Sequence, residues 1–219
     1  MNDRLELKLA EIIRKESDEA ALIEWRNAQL ESSKPLYNYR YDHVKEVVKL
    51  TKYLAKRCGA DIEVTTLAAW LHDLSKPGIR GISNHGEASA MAARNLLADE
   101  GIESEIIERV CDTIEKHVGL TLEDPVQPLE AQVLWDADKI VKLGAMGLIH
   151  FMINGIKINP GFLLDEISAA INEFLKLADR IVESMNTEPG KELAKRRFAA
   201  LKHFAKDLET ELEMADAAI

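Results

Sequence analysis

The sequence predicts an all-α protein, a helical bundle built from a chain of 219 residues. Most apolar residues recur at spacings of three and four, and few segments alternate with period two. Glycines and prolines fall between the periodic segments, where they end helices. Hydrophobic residues make up 47% of the chain, which is enough for a core of ordinary size.

The first three helices have recognisable ends. Residues 3–31 carry spaced apolar side chains among many charges, which predicts one long amphipathic helix or two shorter ones before Lys34-Pro35. Gly59 should end a helix over 41–57. Pro77 and Gly78 should end a helix over 63–75.

The later helices follow the same logic. Asn84 and Glu87 have the spacing of a capping box, which predicts that a helix starts there and runs to about 99. Asn159-Pro160-Gly161 is predicted to be a turn. Further helices are predicted over about 102–118, 129–143, a shorter one to about 153, 162–185 and 189–214.

The chain is expected to form one domain with flanking helices. Residues 1–35 form a predicted N-terminal helical extension, 36–153 the core, and 154–219 C-terminal helices that pack on the same domain. No fixed-period repeat and no low-complexity tract is visible.

Composition excludes several classes of protein. The net charge of -10 argues against a protein that grips DNA or RNA, whereas a small phosphorylated molecule needs only local positive charge. Cys58 and Cys111 form no C-x-x-C motif and are interpreted as reduced thiols. Without a signal-like N-terminus or a run of about 18 apolar residues, no membrane association and a cytoplasmic protein are expected. Self-association is left open.

The pair His72-Asp73 ends an otherwise apolar run, where an imidazole and a carboxylate are costly to bury unless something holds them. His43 shares a helical face with apolar residues and should point at the core. Asp138 falls in an apolar stripe and therefore needs a cationic partner. For Asp138, a metal ion and a salt bridge to a lysine or arginine of another helix are equally good alternatives. The stripe consists of Leu134, Asp138, Val141 and Ala145.

Two histidines, two aspartates and no thiolate suit Mn, Fe, Co, Ni or Zn, as one ion or two. His85 and His117, at helix ends, could hold a second metal, bind substrate or donate a proton, or they could be exposed. Lys76 is placed to meet a phosphate at the metal, and Arg80 is a weaker candidate of the same type. His150 and His203 have no supporting neighbours and are interpreted as structural or exposed.

The order His43, His72-Asp73, Asp138 resembles the H…HD…D signature of the HD-domain superfamily of metal-dependent phosphohydrolases, over roughly residues 37–145. Flanking residues resemble a branch of small single-domain bacterial and archaeal members. The resemblance implies a helical bundle with the metal at its centre and those four residues as ligands of one ion. Members that bind two ions use two further histidines, for which His85 and His117 occupy suitable positions, and some of these members have a lysine at the place of Lys76.

The expected function is hydrolysis of a phosphate ester or anhydride in a nucleotide or another small phosphorylated metabolite. Metal would activate water and polarise the phosphoryl group. Lys76 would stabilise charge on the phosphoryl oxygens, and Asp73 or a protonated His117 would assist proton transfer. A metal-binding regulatory protein without turnover and a di-iron oxygenase of the same superfamily are the alternatives.

Overall fold

The computed structural model describes residues 3–26, 35–76, 84–159, 161 and 163–217. These residues form helices and connecting turns and contain no strand, which confirms the all-α prediction. The helices are α1 (Asp3–Trp25), α2 (Tyr39–Cys58), α3 (Ile62–Leu71), α4 (His85–Asp99), α5 (Ser104–Glu115), α6 (Leu129–Ile140), α7 (Gly144–Ile158), α8 (Leu164–Glu183) and α9 (Glu188–Ala217).

Two predicted helix boundaries depend on single residues, and the structure confirms both. Gly59 follows α2 with a φ of 74°, a left-handed conformation that glycine adopts without strain. The side chain of Asn84 accepts a hydrogen bond from the backbone N–H of Glu87 and so caps α4.

The prediction of a helix over 63–75 was wrong at its carboxyl end, because α3 stops at Leu71. Residues 72–75 form a tighter turn, in which the N–H of Leu74 bonds to the carbonyl of Leu71. The N–H of Ser75 is used in a tertiary contact with the hydroxyl of Ser89, at 3.0 Å. The His72-Asp73 pair therefore lies in a turn rather than on a helix.

Other boundaries moved by a few residues. The helix predicted over 102–118 is α5, which begins at Ser104 and ends at Glu115, and the short helix predicted to end near 153 continues as α7 to Ile158. Ala145 lies in α7 and is exposed, so the apolar stripe on α6 ends at Val141. The predictions for 27–34, for Pro77, Gly78 and Arg80, and for Pro160 lie outside the described residues.

The core is formed where α2, α3, α5 and α6 pack on one another. α4 packs along α5, α8 packs along α9, and α9 in turn contacts α6 and α7. α1 lies on α2 and α3 and buries Leu9 completely. The division into an extension, a core and C-terminal helices stays a prediction.

A buried carboxylate joins α6 to the turn between α8 and α9. Asp136 accepts hydrogen bonds from the backbone N–H groups of Asn186 and Thr187, both at 2.8 Å, and from the Thr187 hydroxyl at 2.7 Å. Gly190 is packed so closely that an added Cβ would lie 2.2 Å from Oδ2 of Asp136. Burial raises the pKa of Asp136 against the effect of these donors.

Among the helices that the structure describes, none is by itself long and apolar enough to cross a membrane. One pair, α6 with α7, meets the length and composition criteria jointly, although the two helices are bent by 63° at their junction.

Candidate metal centre

Five elements bring imidazoles and carboxylates to one place in the core. The contributing residues are His43 in the second turn of α2, His72 and Asp73 in the turn after α3, His85 at the start of α4, His117 just after α5, and Asp138 in α6. His43, His72, His117 and Asp138 are buried, and only the side chain of His85 is partly open. The sequence predicted these residues, and the structure places all of them together.

The first group consists of His43, His72 and Asp73, whose ligand atoms lie within 4.8 Å of one another. The two Nε2 atoms of the histidines are 3.4 Å apart. Oδ2 of Asp73 lies 3.7 Å from Nε2 of His43 and 3.6 Å from Nε2 of His72. Three donor atoms therefore surround one small space.

The second group consists of Asp73, His85 and His117. Oδ1 of Asp73 lies 3.4 Å from Nε2 of His117 and 3.7 Å from Nε2 of His85. Asp73 thus turns one carboxylate oxygen to each group. This arrangement suits two cations with a shared carboxylate ligand.

The hydrogen bonds of two histidine rings leave their other ring nitrogens free to bind a cation. Nδ1 of His72 donates to the carbonyl of Ala69 at 2.8 Å, and Nδ1 of His117 donates to the carbonyl of Ile114 at 2.5 Å. In neutral rings of this tautomer, each Nε2 carries a lone pair. These lone pairs face the carboxylate of Asp73, a contact that a positive ion between them would make favourable.

Asp138 pairs with lysines and also lies beside a candidate metal ligand, so it is placed for both alternatives that the sequence left open. Its Oδ1 lies 3.1 Å from Nε2 of His43, at the edge of the first group, and accepts a hydrogen bond from Lys142 at 2.9 Å. Its Oδ2 accepts from Lys139. The expectation that a salt-bridge partner would come from another helix was wrong, because Lys139 is the next residue of α6 and Lys142 follows the helix by two residues.

Burial and charge set the protonation of the cluster. Burial lowers the pKa of His43 to about 4 and that of His72 to about 3, so both rings are neutral, as metal ligands must be. Burial would raise the pKa of Asp73, but Lys76 and the neighbouring imidazoles hold it well below the usual range. Lys139 and Lys142 do the same for Asp138. Burial lowers the pKa of Lys139 to about 8.

The ammonium of Lys76 contacts Oδ2 of Asp73 and remains partly open to solvent. Burial would lower its pKa, but Asp73 raises it. A cation therefore stands at the mouth of the site, as the sequence predicted, whereas Arg80 lies outside the described residues.

His150 is buried, in line with the structural of its two predicted alternatives. It has supporting neighbours: Nε2 lies 3.4 Å from Oδ2 of Asp42, and the ring meets that of Tyr39 edge-on at 4.9 Å. Tyr39 in turn stacks on His43 at 5.7 Å. His203 is exposed on α9, as expected.

Sequence reasoning missed Lys139 and Lys142 as members of the site. Lys139 is buried, lies over the ring of Trp135 at 4.3 Å, and donates to the carbonyl of His117 at 2.8 Å. The available signal was Lys139 next to Asp138 in an apolar helix, with Lys142 four positions after that aspartate.

The described thiols fit the prediction of reduced cysteines, since Cys58 and Cys111 are both free. They take no part in either histidine group.

The fold and the cluster together define a class, a helical bundle whose buried histidines and aspartates could hold one or two metal ions. The HD domain family matches residues 40–143, which include His43, His72, Asp73 and Asp138. Residues 40–143 therefore form an HD domain.

Known proteins of similar length resemble most of the chain. The uncharacterized protein YpgQ of Bacillus subtilis is 29% identical over 182 residues, which cover 81% of this chain and 86% of YpgQ. The crystal structure of YpgQ in complex with ADP matches with a TM-score of 0.62 and 26% identity, covering 78% of this chain and 88% of that one. The structure of a predicted HD-superfamily hydrolase from an uncultured Thermotogales bacterium, 19% identical, shares the fold with a TM-score of 0.62, covering 94% and 91%.

Proposed function

We propose that the protein is a metal-dependent phosphohydrolase that acts on a nucleotide or another small phosphate ester or anhydride. The observation that most directly supports this proposal is that Asp73 lies between two histidine groups, with Lys76 beside it at the mouth of the site. Two clusters of histidine and aspartate ligands could hold two cations, and a pair of cations would supply the Lewis acidity that phosphoryl transfer needs.

The charge of the site supports an anionic substrate. The carboxylates of Asp73 and Asp138 are surrounded by the ammonium groups of Lys76, Lys139 and Lys142, which leaves a local formal charge of +1 before any metal binds. The chain as a whole carries a charge of -10. The site is thus a local cationic spot on an acidic protein, which favours a small phosphorylated molecule over a nucleic-acid polymer.

A nucleotide is the preferred substrate class because YpgQ, 26% identical to this chain and similar over most of its length, was crystallised with ADP. Phosphate monoesters without a base are the broader alternative within the same proposal.

The first group would be held by His43, His72 and Asp73 with Asp138 beside them, and the second by Asp73, His85 and His117. Divalent ions bound there would supply Lewis acidity, which lowers the pKa of water and polarises a phosphoryl oxygen. Mn, Fe, Co, Ni and Zn all fit imidazole and carboxylate donors.

The protein's own groups would orient the substrate and move protons. The ammonium of Lys76 can turn from Asp73 to a phosphoryl oxygen, where it stabilises developing negative charge. Asp73 can accept a proton, and in a form of the site with no ion at its Nε2, His117, 3.4 Å from Asp73, can pass one on.

The experiment is a panel of nucleoside mono-, di- and triphosphates and sugar phosphates, assayed after chelation and after adding back each metal. Metal-dependent phosphate or pyrophosphate release is the expected result. Metal binding without turnover of any phosphorylated compound would favour a regulatory protein. Oxygen uptake by a reduced iron-loaded form, without phosphate release, would favour an oxygenase.

A further inference from the structure

A cavity of about 270 Å³ lies next to the metal centre, between the start of α2 and the helices α7 and α8. Its volume is close to the lower end of the roughly 300–1,000 Å³ typical of small-ligand pockets. It is mainly apolar, and its walls include Tyr39, Lys142, His150, Phe151, Asn154 and Phe174.

Two wall residues connect this cavity directly to the histidine cluster. The ring of Tyr39 stacks on His43 at 5.7 Å, and Lys142 donates to Oδ1 of Asp138 at 2.9 Å. A molecule in the cavity would therefore contact two residues that themselves touch candidate metal ligands. Lys142 lies at this boundary, where a phosphate attached to that molecule would meet it.

The walls have the chemistry of a site for a flat ring. Phe151 and Phe174 stack on each other at 5.3 Å and line one part of the cavity. His150 is held edge-on against Tyr39 and oriented by Asp42. Aromatic faces favour a planar ring, and the carboxamide of Asn154 adds a donor and an acceptor for its heteroatoms.

A second cavity beside the site is a poorer match. It measures about 130 Å³ and lies against α1, where Glu16, Glu19, Arg40, Asp73 and Lys76 are among its lining residues. Three carboxylates face two cations there, and none of its lining residues is aromatic, so it lacks the stacking faces that favour a planar ring. The larger cavity has Lys142 and no carboxylate among its lining residues.

We propose that the cavity between α2, α7 and α8 binds the base of a nucleotide whose phosphates lie on the metal centre. The inference rests on the proposed function, since it assigns the substrate class of the same site. The base would lie among Tyr39, Phe151 and Phe174, and Lys142 would contact the first phosphate.

The test compares ADP with inorganic pyrophosphate, because the two share a diphosphate and differ by the nucleoside. Binding of each to the Mn-loaded protein is measured by calorimetry. Gly155→Leu adds a side chain into the cavity from α7, and Phe174→Ala removes an aromatic wall. Ile149→Leu, at an exposed position of α7 outside the cavity, is the matched control.

The expected result is an ADP affinity at least tenfold weaker in Gly155→Leu and about fivefold weaker in Phe174→Ala, with pyrophosphate affinity unchanged within twofold. Ile149→Leu should bind both as the wild type does. Unchanged ADP binding in both cavity variants, or equal loss of ADP and pyrophosphate in variants that keep the wild-type helical spectrum and Tm, would overturn the proposal. ADP binding no tighter than pyrophosphate in the wild type would also overturn it.

Failure of the proposed function gives a different result. If ADP binds in the predicted manner but is never hydrolysed with any metal, the cavity assignment stands and the hydrolase assignment falls. If phosphate is released from sugar phosphates as readily as from nucleotides and Gly155→Leu changes neither, the hydrolase stands and the cavity assignment falls.

Discussion

Asp73 is the residue on which both histidine groups depend. Its Oδ2 faces His43 and His72 at 3.7 and 3.6 Å, whereas Oδ1 faces His117 and His85 at 3.4 and 3.7 Å. No other aspartate in the described residues belongs to both groups. A change at this position should therefore affect both candidate ions, whereas a change at one histidine should affect one.

Asp73→Asn should lower the amount of bound metal severely and reduce kcat more than 100-fold, because a neutral amide is a poor ligand and the charge shared by the two groups is lost. Metal content after gel filtration and phosphate release would be measured on the same sample. Asp112→Asn, at an exposed position of α5, is the control. Full activity in Asp73→Asn would contradict the assignment.

His85→Ala should remove one of two bound ions and leave the other, because His85 contributes only to the second group. Competitive titration with Mn would show the stoichiometry fall from two to one. A wild-type stoichiometry of one, unchanged in His85→Ala, would mean that His85 and His117 serve another purpose.

At the scale of elements, α6 carries two separate tasks within a single turn. Asp138 and Lys139 belong to the metal centre, while Asp136 holds the turn between α8 and α9. The two carboxylates are two positions apart in a helix, so they point to different sides. The C-terminal helices are thus joined to the same helix that supports the site.

Asp136→Ala should lower the free energy of unfolding by about 3 kcal/mol, because it leaves the N–H groups of Asn186 and Thr187 without their buried acceptor. Urea unfolding of the metal-free protein measures the change without metal linkage. Glu173→Ala, in an exposed pair on α8, should change it by less than about 0.5 kcal/mol. A loss under about 1 kcal/mol in Asp136→Ala would show that the contact is not stabilising.

Local sequence signals predicted most helices but not the turn that carries His72 and Asp73. Hydrophobic periodicity, the helix end at Gly59 and the helix cap at Asn84 each depend on a few neighbouring residues, so the local sequence is enough to predict them. α3 ends early because Ser75 bonds to Ser89, fourteen positions away. A tertiary contact of that kind leaves no mark in the local pattern.

At the scale of the whole molecule, burial of the histidine cluster links stability to pH. The folded pKa of His43 is about 4 and that of His72 about 3, against 6.5 for a free histidine. Between pH 6.5 and these values the unfolded chain binds protons that the folded chain cannot. The folded state is therefore fully favoured above pH 6.5 and loses stability as the pH falls toward 4 and 3.

The metal-free protein should lose stability by up to about 1.4 kcal/mol per pH unit for each of these two histidines below pH 6.5. Thermal unfolding from pH 7.5 to 4.5 in chelator measures this loss. His72→Asn should flatten the curve, and His203→Asn, at an exposed position, should not. A constant Tm across this range would contradict the burial of neutral imidazoles.

The histidines and aspartates of the candidate site could be picked out from the sequence, but the lysines beside Asp138 and the arrangement of the whole cluster could not. His43, His72, Asp73 and Asp138 stand out because each polar group interrupts an apolar face. That Asp73 turns one oxygen to each group, and that Lys139 spans Asp138 and the carbonyl of His117, depends on how five elements pack. The contact of Lys139 with the carbonyl of His117 joins residues 22 positions apart, and that of His117 with Asp73 joins residues 44 positions apart, beyond any local pattern.

The central claim is that side chains from five elements gather around bound cations at Asp73. Anomalous diffraction from crystals grown with Mn measures this most directly. The account predicts one peak among Nε2 of His43, Nε2 of His72 and the carboxylate of Asp73, and a second among Asp73, His85 and His117. Manganese bound only elsewhere, with Asp73 still paired to Lys76 and Asp138 still paired to Lys139 and Lys142, would contradict it.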